Sequence, residues 1–422
     1  MVVIGLVRTA VFLVDTWWVG WLGDEALAAM GGAAFAWWIV FIVCDVAGTG
    51  VHSIVSRLVG ADQQHRVGPT IGSGLWVGAG LALALLGLLP FLETYFDVIG
   101  FPRGGAEASF GISYLSACVL GAGAFAAHGV INGVFRGLGD TRTALVITIG
   151  AFVLNAVADP VLMWGLGPVP GLGIAGAAWA SALTALASAV AGGALLWRRG
   201  RRVSMALPAI GSLFEIVRIG APVSAHGIAF SLVYVLLARF INSFGTEQVA
   251  ALGVGHRLES LAFMICVGFE VGSATMVGQY IGAGDPRGAQ RAARTAAKMS
   301  VLAMLPATLI LFVFARPLFG FFANEPATVD AGVVYLQIQA LFFVFMAVEL
   351  AYEGAFTGTG HTVPAFVIGS VGTLLRIPLA WLLAWPLGMG VEGIWWAIAG
   401  STAVKGVIMT LWFHRFGTSS SS

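Results

Sequence analysis

The sequence predicts an all-α integral membrane protein, with twelve transmembrane helices in two six-helix lobes related by a pseudo-two-fold axis along the membrane normal. Composition, segment length and repetition predict this fold class. Charged residues make up only 10% of the 422 residues and hydrophobic ones 59%, a balance that a water-soluble globule would not tolerate at its surface. The apolar stretches are about 20 residues or longer, which is the length that a helix needs to cross a bilayer.

The repetition is an internal duplication. With a shift of 222 residues, positions 22–61 align without a gap on positions 244–283, and further on the shift becomes 221, which pairs Tyr114 with Tyr335. Each copy holds an even number of spans, so both copies enter the membrane from the same side and the repeat is parallel rather than inverted. Identical pairs include Gly23/Gly245, Glu25/Glu247, Cys44/Cys266, Gly133/Gly354 and Gly137/Gly358.

Helices rather than strands account for the apolar stretches, because these stretches do not alternate and because a helix satisfies its own backbone hydrogen bonds in lipid. In chain order, the twelve spans are predicted at 2–22, 29–57, 68–96, 108–135, 142–165, 172–197, 219–243, 249–279, 292–322, 330–357, 363–385 and 391–413. The chain then divides into an N-terminal six-helix lobe, a basic cytoplasmic linker, a C-terminal six-helix lobe and a disordered tail, at 1–198, 199–217, 218–415 and 416–422.

The loops predict the orientation. Lys and Arg residues concentrate in the loops on the side of the membrane that holds the basic linker, and on the other side only Arg103 and Arg316 lie in loops. An excess of these residues marks the cytoplasmic side, so both termini are predicted to be cytoplasmic. All three cysteines lie inside predicted spans and form no disulfide framework. We expect a bacterial or archaeal inner (plasma) membrane.

Ionisable side chains inside the spans are the candidate functional residues, because each costs at least about 2.5–3.5 kcal/mol at the centre of a membrane. Asp15 lies in the first span and Asp159 in the fifth, with Asn155 one helical turn before Asp159 on the same face. Pro160 removes a backbone donor, so we expect the helix to bend there and free polar backbone. This arrangement indicates a cation or proton pocket; the alternative is a structural hydrogen bond between packed helices.

The C-terminal lobe contains further acids inside its spans. Glu259, Glu270 and Glu349 are candidates for a substrate cavity or a secondary coupling site. Glu349 and Glu353 share a helix face, which would attract cations if it lines a cavity, whereas Glu353 could equally be hydrated near the cytoplasmic end. The role of Glu270 stays open.

Motifs spread in order over nearly the whole chain carry a family resemblance. They are Val14-Asp-Thr-Trp-Trp-Val-Gly20, Arg136-Gly-Leu-Gly-Asp-Thr-Arg142, Asn155-Ala-Val-Ala-Asp-Pro160, Gly173-Ile-Ala-Gly-Ala-Ala178, Arg257-Leu-Glu-Ser-Leu-Ala-Phe-Met264 and Val277-Gly-Gln-Tyr-Ile-Gly-Ala-Gly284. With these motifs the chain resembles the multidrug and toxic compound extrusion (MATE) family, in its prokaryotic branch similar to DNA-damage-inducible protein F.

The resemblance implies a twelve-helix exporter that exchanges drugs for protons or sodium by alternating access. Its coupling-ion site maps onto Asp15, Asn155 and Asp159, and Ser181 matches a hydroxyl residue of the sixth helix. No cofactor is expected, and no metal beyond Na⁺ at the coupling site. Expected partners are small drug-like substrates and membrane lipids, without nucleic acid, and the chain is expected to act as a monomer. The seventh span lacks the glutamate that other branches use.

The predicted function is secondary active efflux of amphipathic organic compounds, cationic ones foremost, in exchange for H⁺ or Na⁺. The alternative is a lipid-linked precursor flippase or polysaccharide exporter, a class that carries cavity arginines and often extra helices. An enzyme is not expected. Gly137-Leu-Gly-Asp140 fits the pattern of intramembrane aspartyl proteases, but its repeat counterpart, Gly358-Thr-Gly-His361, lacks the acid.

Overall fold

The computed structural model describes residues 14–168, 170–204, 206–323 and 325–416. These residues divide into two compact units, one running to Ser224 and the other beginning at Ala225. The first predicted span is described only from residue 14, where residues 14–20 form helix α1. The start of that span and the predicted tail beyond residue 416 lie outside the described residues.

The first unit continues with seven helices. The helices are α2 (Asp24–Gly60), α3 (Val67–Leu85), α4 (Leu92–Val98), α5 (Ala106–Leu120), α6 (Ala122–Gly137), α7 (Thr141–Trp164) and α8 (Ile174–Arg198). Between α3 and α4, Leu86–Phe91 forms a 3-10 segment containing Pro90, which cannot donate to an α-helical ladder.

The fourth predicted span, at 108–135, is a bent pair of helices. The helices α5 and α6 pass the length and hydropathy test for a span together and are bent by 48° at Gly121. A Cβ atom built on Gly121 would lie 2.6 Å from the Cβ atom of Ala182, so α8 packs directly against the bend.

Helix α9 (Ile210–Asn242) starts in the first unit and ends in the second. It begins well before the predicted span at 219, so much of the predicted linker is helical. The side chain of Glu215 in this early part pairs with Arg57 at 3.0 Å, and both are partly exposed. The sequence prediction started the span later because the charged residues Glu215 and Arg218 interrupt the apolar stretch there. The later helices are α10 (Thr246–Gly282), α11 (Pro286–Val313), α12 (Ala315–Phe322), α13 (Pro326–Thr359), α14 (Val363–Leu374), α15 (Arg376–Ala384) and α16 (Gly390–Phe416).

The described residues contain 10 helices that are long and apolar enough to cross a membrane, or 11 when the bent pair α5 and α6 counts as one span. The multi-span helical architecture is therefore confirmed. The total of twelve stays a prediction, since most of the first predicted span lies outside the described part of the chain.

The duplication is visible in the packing of both units. A Cβ atom on Gly133 would collide with the backbone of Gly48 in α2, and one on its repeat partner Gly354 would collide with the backbone of Glu270 in α10. Such small residues let helix backbones approach closely, which is how helices pack in lipid without a hydrophobic drive between them. The glycine contact between α2 and α6 in the first unit therefore recurs between α10 and α13 in the second.

Candidate functional site

The structure brings together four residues that the sequence singles out. Asp15 lies in α1, Asn155 and Asp159 in α7, and Ser181 in α8. The Ser181 Oγ donates to Asp15 Oδ2 at 3.3 Å. The Asn155 Nδ2 donates to Asp159 Oδ1 at 3.2 Å and to Ser181 Oγ at 3.3 Å. We call these four residues the acid cluster.

The acid cluster is buried and has spare oxygen atoms. Asp15 is 7% exposed and Asp159 is fully buried. Three oxygens, Asp15 Oδ1, Asn155 Oδ1 and Asp159 Oδ2, are buried without a hydrogen-bond partner among the described residues. Buried polar atoms normally have partners, so orphaned ones mark a place where water, a proton or an ion can bind. Carboxylate and amide oxygens are the ligands that hard cations prefer.

Among the described residues, no basic side chain neutralises the two carboxyl groups of the acid cluster. The carboxyl groups of Asp15 and Asp159 lie within hydrogen-bonding reach of each other, and in the part of the chain that the structure describes neither forms a salt bridge. Two buried carboxylates without a counter-charge would be strongly unfavourable. The arrangement therefore requires a shared proton or a bound cation.

A proline explains how α1 is held against α7. Helix α7 runs through Pro160 without a break, so the predicted bend does not interrupt the helix. The freed carbonyl is that of Ala156, four residues earlier, and it accepts a hydrogen bond from Trp18 Nε1 at 3.2 Å. Trp18 lies one helical turn after Asp15 on α1, so this bond helps to hold the Asp15 carboxyl beside α7.

The repeat allows the same positions to be examined in the second unit. The 221-residue shift continues through the fifth predicted span and pairs Leu162 with Leu383, and after the next loop a shift of 217 pairs Gly176 with Gly393. The structure supports both shifts, since a Cβ atom on Gly176 would collide with the backbone at Leu162 and one on Gly393 with that at Leu383. At these shifts the acid cluster has no acidic counterpart: Leu237 stands for Asp15, Arg376 for Asn155, Ala380 for Asp159 and Ile398 for Ser181.

The counterpart of Asn155 is thus a buried arginine. Arg376 is 2% exposed; its Nε donates to Ser401 Oγ at 2.7 Å and its Nη2 to Thr402 Oγ1 at 3.0 Å. A third bond runs from Nη1 to the hydroxyl of Tyr234 at 3.3 Å, and the guanidinium lies 5.6 Å from the centre of that ring. Hydroxyl groups and an aromatic face therefore solvate this cation.

A second basic residue of the C-terminal unit forms a buried ion pair. Lys405 Nζ lies 2.6 Å from Glu349 Oε1, and both side chains are about 95% buried. Lys405 also donates to Thr373 Oγ1 at 3.5 Å, and Glu353 lies close to both members of the pair. We call Glu349, Glu353, Thr373 and Lys405 the lysine cluster.

The lysine cluster also has repeat partners in the first unit, and they are uncharged or weakly basic. His128 Nδ1 is 2.9 Å from Ser188 Oγ, and Asn132 Nδ2 is 2.9 Å from His128 Nε2. The pairs are His128/Glu349, Asn132/Glu353 and Ser188/Lys405. The same three positions therefore touch one another in both units, with different chemistry.

The remaining predicted acids have separate environments. Glu349 belongs to the lysine cluster, and Glu353 is 8% exposed, so the hydrated alternative for Glu353 was wrong. Glu259 lies near Tyr335 and Arg376 and keeps its Oε1 atom unpartnered within the described residues. Glu270 is half-buried on α10. Sequence reasoning missed Arg376 and Lys405, although a basic residue inside an apolar span is itself a signal.

The glycine-flanked Asp140 has a structural role. Its carboxylate caps α7 by accepting from the Thr143 backbone N–H at 3.0 Å and from the Thr143 hydroxyl at 2.6 Å, and it pairs with Arg199 at 2.6 Å. Burial raises the pKa of Asp140, but these hydrogen bonds and the Arg199 guanidinium outweigh burial and bring the pKa below its ordinary value of 3.8. The capping contact accounts for the protease-like motif.

Comparison with known proteins gives consistent matches over the chain. The MatE family model matches residues 1–161 and 222–382. A probable multidrug resistance protein NorM of Deinococcus radiodurans is 30% identical over 426 residues, covering 96% of this chain and 91% of the relative. The NorM relative from Thermotoga maritima is 26% identical over 405 residues, covering 95% and 87%.

Solved structures share the fold. An outward-facing multidrug resistance MATE family transporter of the MOP superfamily superposes with a TM-score of 0.90, at 22% identity, covering 99% of this chain and 94% of that one. At this identity the match establishes the fold alone.

Proposed function

The chain belongs to the MatE family of multidrug transporters, and we propose that it is a secondary active antiporter that exports amphipathic organic compounds, cationic ones foremost, in exchange for H⁺ or Na⁺. The observation that supports this proposal best is the acid cluster, because its two buried carboxyl groups lie together with spare oxygens and without a salt-bridge partner in the described residues. Such a site is suited to bind and release a small cation.

Ion binding changes the forces between helices of the first unit. With a proton or Na⁺ bound, Asp15 and Asp159 attract the same cation, and α1 stays tied to α7 and α8 through Ser181 and Asn155. Without the cation, two carboxylates at close range in an apolar setting repel each other. Loss of the ion therefore favours a state in which α1 has moved relative to α7, and substrate binding selects between the two states.

The available driving force is sufficient for efflux. A membrane potential of about 100 mV supplies about 2.3 kcal/mol per charge, and a pH difference of one unit supplies about 1.4 kcal/mol. Each tenfold concentration ratio of substrate costs about 1.4 kcal/mol. Exchange of one H⁺ for one monovalent organic cation moves no net charge, so a pH difference of one unit then supports about a tenfold gradient, and the membrane potential adds to the drive only for a neutral substrate.

The proposal also covers the membrane, the oligomeric state and the partners of the protein. We propose an inner membrane with both termini cytoplasmic, because the basic run Arg198, Arg199, Arg201 and Arg202 suits the acidic lipid headgroups of a cytoplasmic leaflet. We propose that the chain acts as a monomer on drug-like substrates in contact with lipid, without a nucleic-acid partner and without a cofactor other than the coupling ion.

One observation favours the alternative, a flippase or exporter of lipid-linked or polysaccharide precursors. Arg376 and Lys405 are buried cations of the C-terminal unit, and exporters of anionic precursors use basic residues. Both side chains, however, are engaged by residues of their own unit, whereas the acid cluster has free oxygens. The export of amphipathic compounds is therefore the better-supported proposal.

The test is transport into inside-out membrane vesicles. A fluorescent organic cation is offered while a proton gradient or a Na⁺ gradient is imposed separately, and a lipid-linked anionic precursor is tested in parallel. We expect uptake of the cation with one of the gradients, loss of uptake with Asp159→Asn, and unchanged uptake with Asp330→Asn, since Asp330 is exposed and forms a surface pair with Arg316. Full gradient-driven uptake by folded Asp159→Asn would falsify the assignment of the site.

A further inference from the structure

The lysine cluster is built around space for a lysine side chain. Lys405 lies in α16 and is 3% exposed. A Cβ atom on Gly372 in α14 would lie 2.6 Å from Lys405 Cδ and closer still to Cγ. A Cβ atom on Gly406, next to Lys405, would lie 2.9 Å from the backbone oxygen of Phe345 in α13. The two glycines thus leave room for the lysine stem and let α16 approach α13.

The ammonium group contacts the carboxylate of Glu349, and Glu353 lies near it. Glu349 and Glu353 lie four residues apart on one face of α13, and Lys405 Nζ reaches Glu349 at 2.6 Å. Other ionisable groups near Lys405 and Glu349 are Arg376 of α15 and His226 of α9. A buried pair of carboxylates needs a cation nearby, and here the chain itself supplies it.

The two glutamates, the lysine and the glycine that makes room for it occur together in the second half of the repeat and not in the first. In the first unit, the positions of Lys405 and Gly372 hold Ser188 and Ala151. The positions of Glu349 and Glu353 hold His128 and Asn132. Where the carboxylates are absent, the long cation and its glycine slot are absent too. The lysine cluster is therefore a coordinated set of substitutions on a common backbone.

We propose that Lys405 is a built-in cation, whose ammonium group occupies the place beside Glu349 and Glu353 where a free H⁺ or Na⁺ would otherwise bind. The C-terminal unit then takes up no coupling ion at this site. The statement about coupling ions rests on the proposed antiport. The occupancy of the site by the Lys405 ammonium does not depend on it.

Tethering explains why the ammonium excludes a free ion. Its attachment to α16 gives it a high effective concentration at the site, as for any intramolecular ligand. It forms a short charge-assisted bond to Glu349 and a further bond to Thr373. A Na⁺ ion or a proton would have to displace this ammonium group and leave it buried without a partner, which is unfavourable.

The experiment measures cation binding to purified protein rather than transport. Asp15→Asn and Asp159→Asn are combined to remove the carboxylates of the acid cluster, and binding of radioactive Na⁺ and proton uptake at neutral pH are measured. We expect neither with Lys405 in place. Adding Lys405→Met should create cation binding where the parent shows none, and adding Glu349→Gln to that variant should remove it. Lys405→Arg keeps a cation and should bind none.

Two results would overturn the proposal. One is Na⁺ or proton binding by the Asp15→Asn, Asp159→Asn protein that disappears with Glu349→Gln, because the site would then be open despite Lys405. The other is a folded Lys405→Met variant that binds no cation. If that variant does not fold, cation binding by the Asp15→Asn, Asp159→Asn protein decides, since that protein keeps Lys405. The proposed antiport fails by a different result, retained transport in Asp159→Asn, so the two failures are distinguishable.

Discussion

The two halves of the chain share helix positions and differ in the charges placed on them. The acid cluster of the first unit contains two carboxyl groups without a salt-bridge partner among the described residues, whereas Arg376 and the lysine cluster of the second unit hold buried cations in fixed contacts. Both halves keep the same glycine contacts between helices. The comparison teaches that packing constrains the duplicated backbone, while the buried polar positions are free to diverge in function.

The two clusters also differ in what stabilises their buried charges. A cluster whose charges are balanced within the chain is stable without a ligand, but removing one partner exposes the other to an apolar setting. A cluster that lacks a counter-charge depends on a bound ion and can change state when the ion leaves. The predictions below test this contrast.

The largest expected effect is that of Glu349→Ala. This change leaves the ammonium of Lys405 buried without its partner, which costs about 3–5 kcal/mol for a broken buried ion pair. The measurement is the free energy of unfolding in detergent by chemical denaturation. The matched control is Asp330→Ala, which breaks the exposed pair with Arg316 and should cost about 0–1 kcal/mol. Equal losses in the two variants would contradict the contrast between the clusters.

The second prediction concerns the slot for the lysine. Gly372→Ala places a methyl group on the stem of Lys405 and should lower stability by about 1–3 kcal/mol, as overpacking does. The loss should disappear when Lys405 is also changed to Ser, the residue at the equivalent position of the first unit. Gly150→Ala in α7 is the control, because nothing lies within 4 Å of the added atom, and it should be neutral or slightly stabilising. A double-mutant cycle in unfolding free energy measures the coupling.

The third prediction is a pH dependence at Asp140 that its repeat position in the second half lacks. Because the folded-state pKa of Asp140 lies below 3.8, its contribution is fully present above the unfolded-state pKa and is lost as the pH falls through the folded-state pKa. Asp140→Ala should cost about 0.5–2 kcal/mol near neutral pH, as loss of an N-cap does. The repeat partner is His361, which cannot act in this way.

Unfolding midpoints of the wild-type protein and Asp140→Ala, measured from pH 6 to about pH 3, check the Asp140 contribution. The difference between the two proteins should shrink as the pH falls below 3.8, since protonation removes the cap and the ion pair with Arg199. A difference that stays constant over this range would show that the charge of Asp140 contributes nothing.

Much of the architecture follows from the sequence, because hydropathy and the repeat report directly on spans. The family resemblance also selected Asp15, Asn155, Asp159 and Ser181, and the structure joins them by hydrogen bonds; their role as a coupling site stays a proposal. These four side chains come from three helices. The hydrogen bonds between helices therefore depend on tertiary packing, which no local sequence pattern contains.

Other features were beyond the sequence for identifiable reasons. The bend at Gly121 depends on a contact with Ala182, and a hydropathy profile cannot show this contact. The ion pair of Lys405 with Glu349 joins residues far apart in the chain, and the shift of the repeat changes between them. The predicted polar backbone at Pro160 exists, but its partner is an indole group rather than an ion.

The smallest expected effect is that of Trp18→Phe, which removes the indole N–H that bonds the Ala156 carbonyl. The change should lower the free energy of unfolding by about 0.5–1.5 kcal/mol, the usual net value of one hydrogen bond. Trp17→Phe is the control, because Trp17 is 56% exposed and phenylalanine keeps an aromatic ring beside Trp18. This prediction bears on the comparison because the bond holds α1, and with it Asp15, at the acid cluster.

The cause of this effect can be separated from general packing by restoring the missing backbone donor. In Pro160→Ala, residue 160 regains an N–H group that can bond the carbonyl of Ala156 within α7. Trp18→Phe should then cost less than it does with Pro160 in place, and the double-mutant cycle should show a coupling of similar size to the single loss. If the two changes are simply additive, the carbonyl freed by Pro160 does not hold α1.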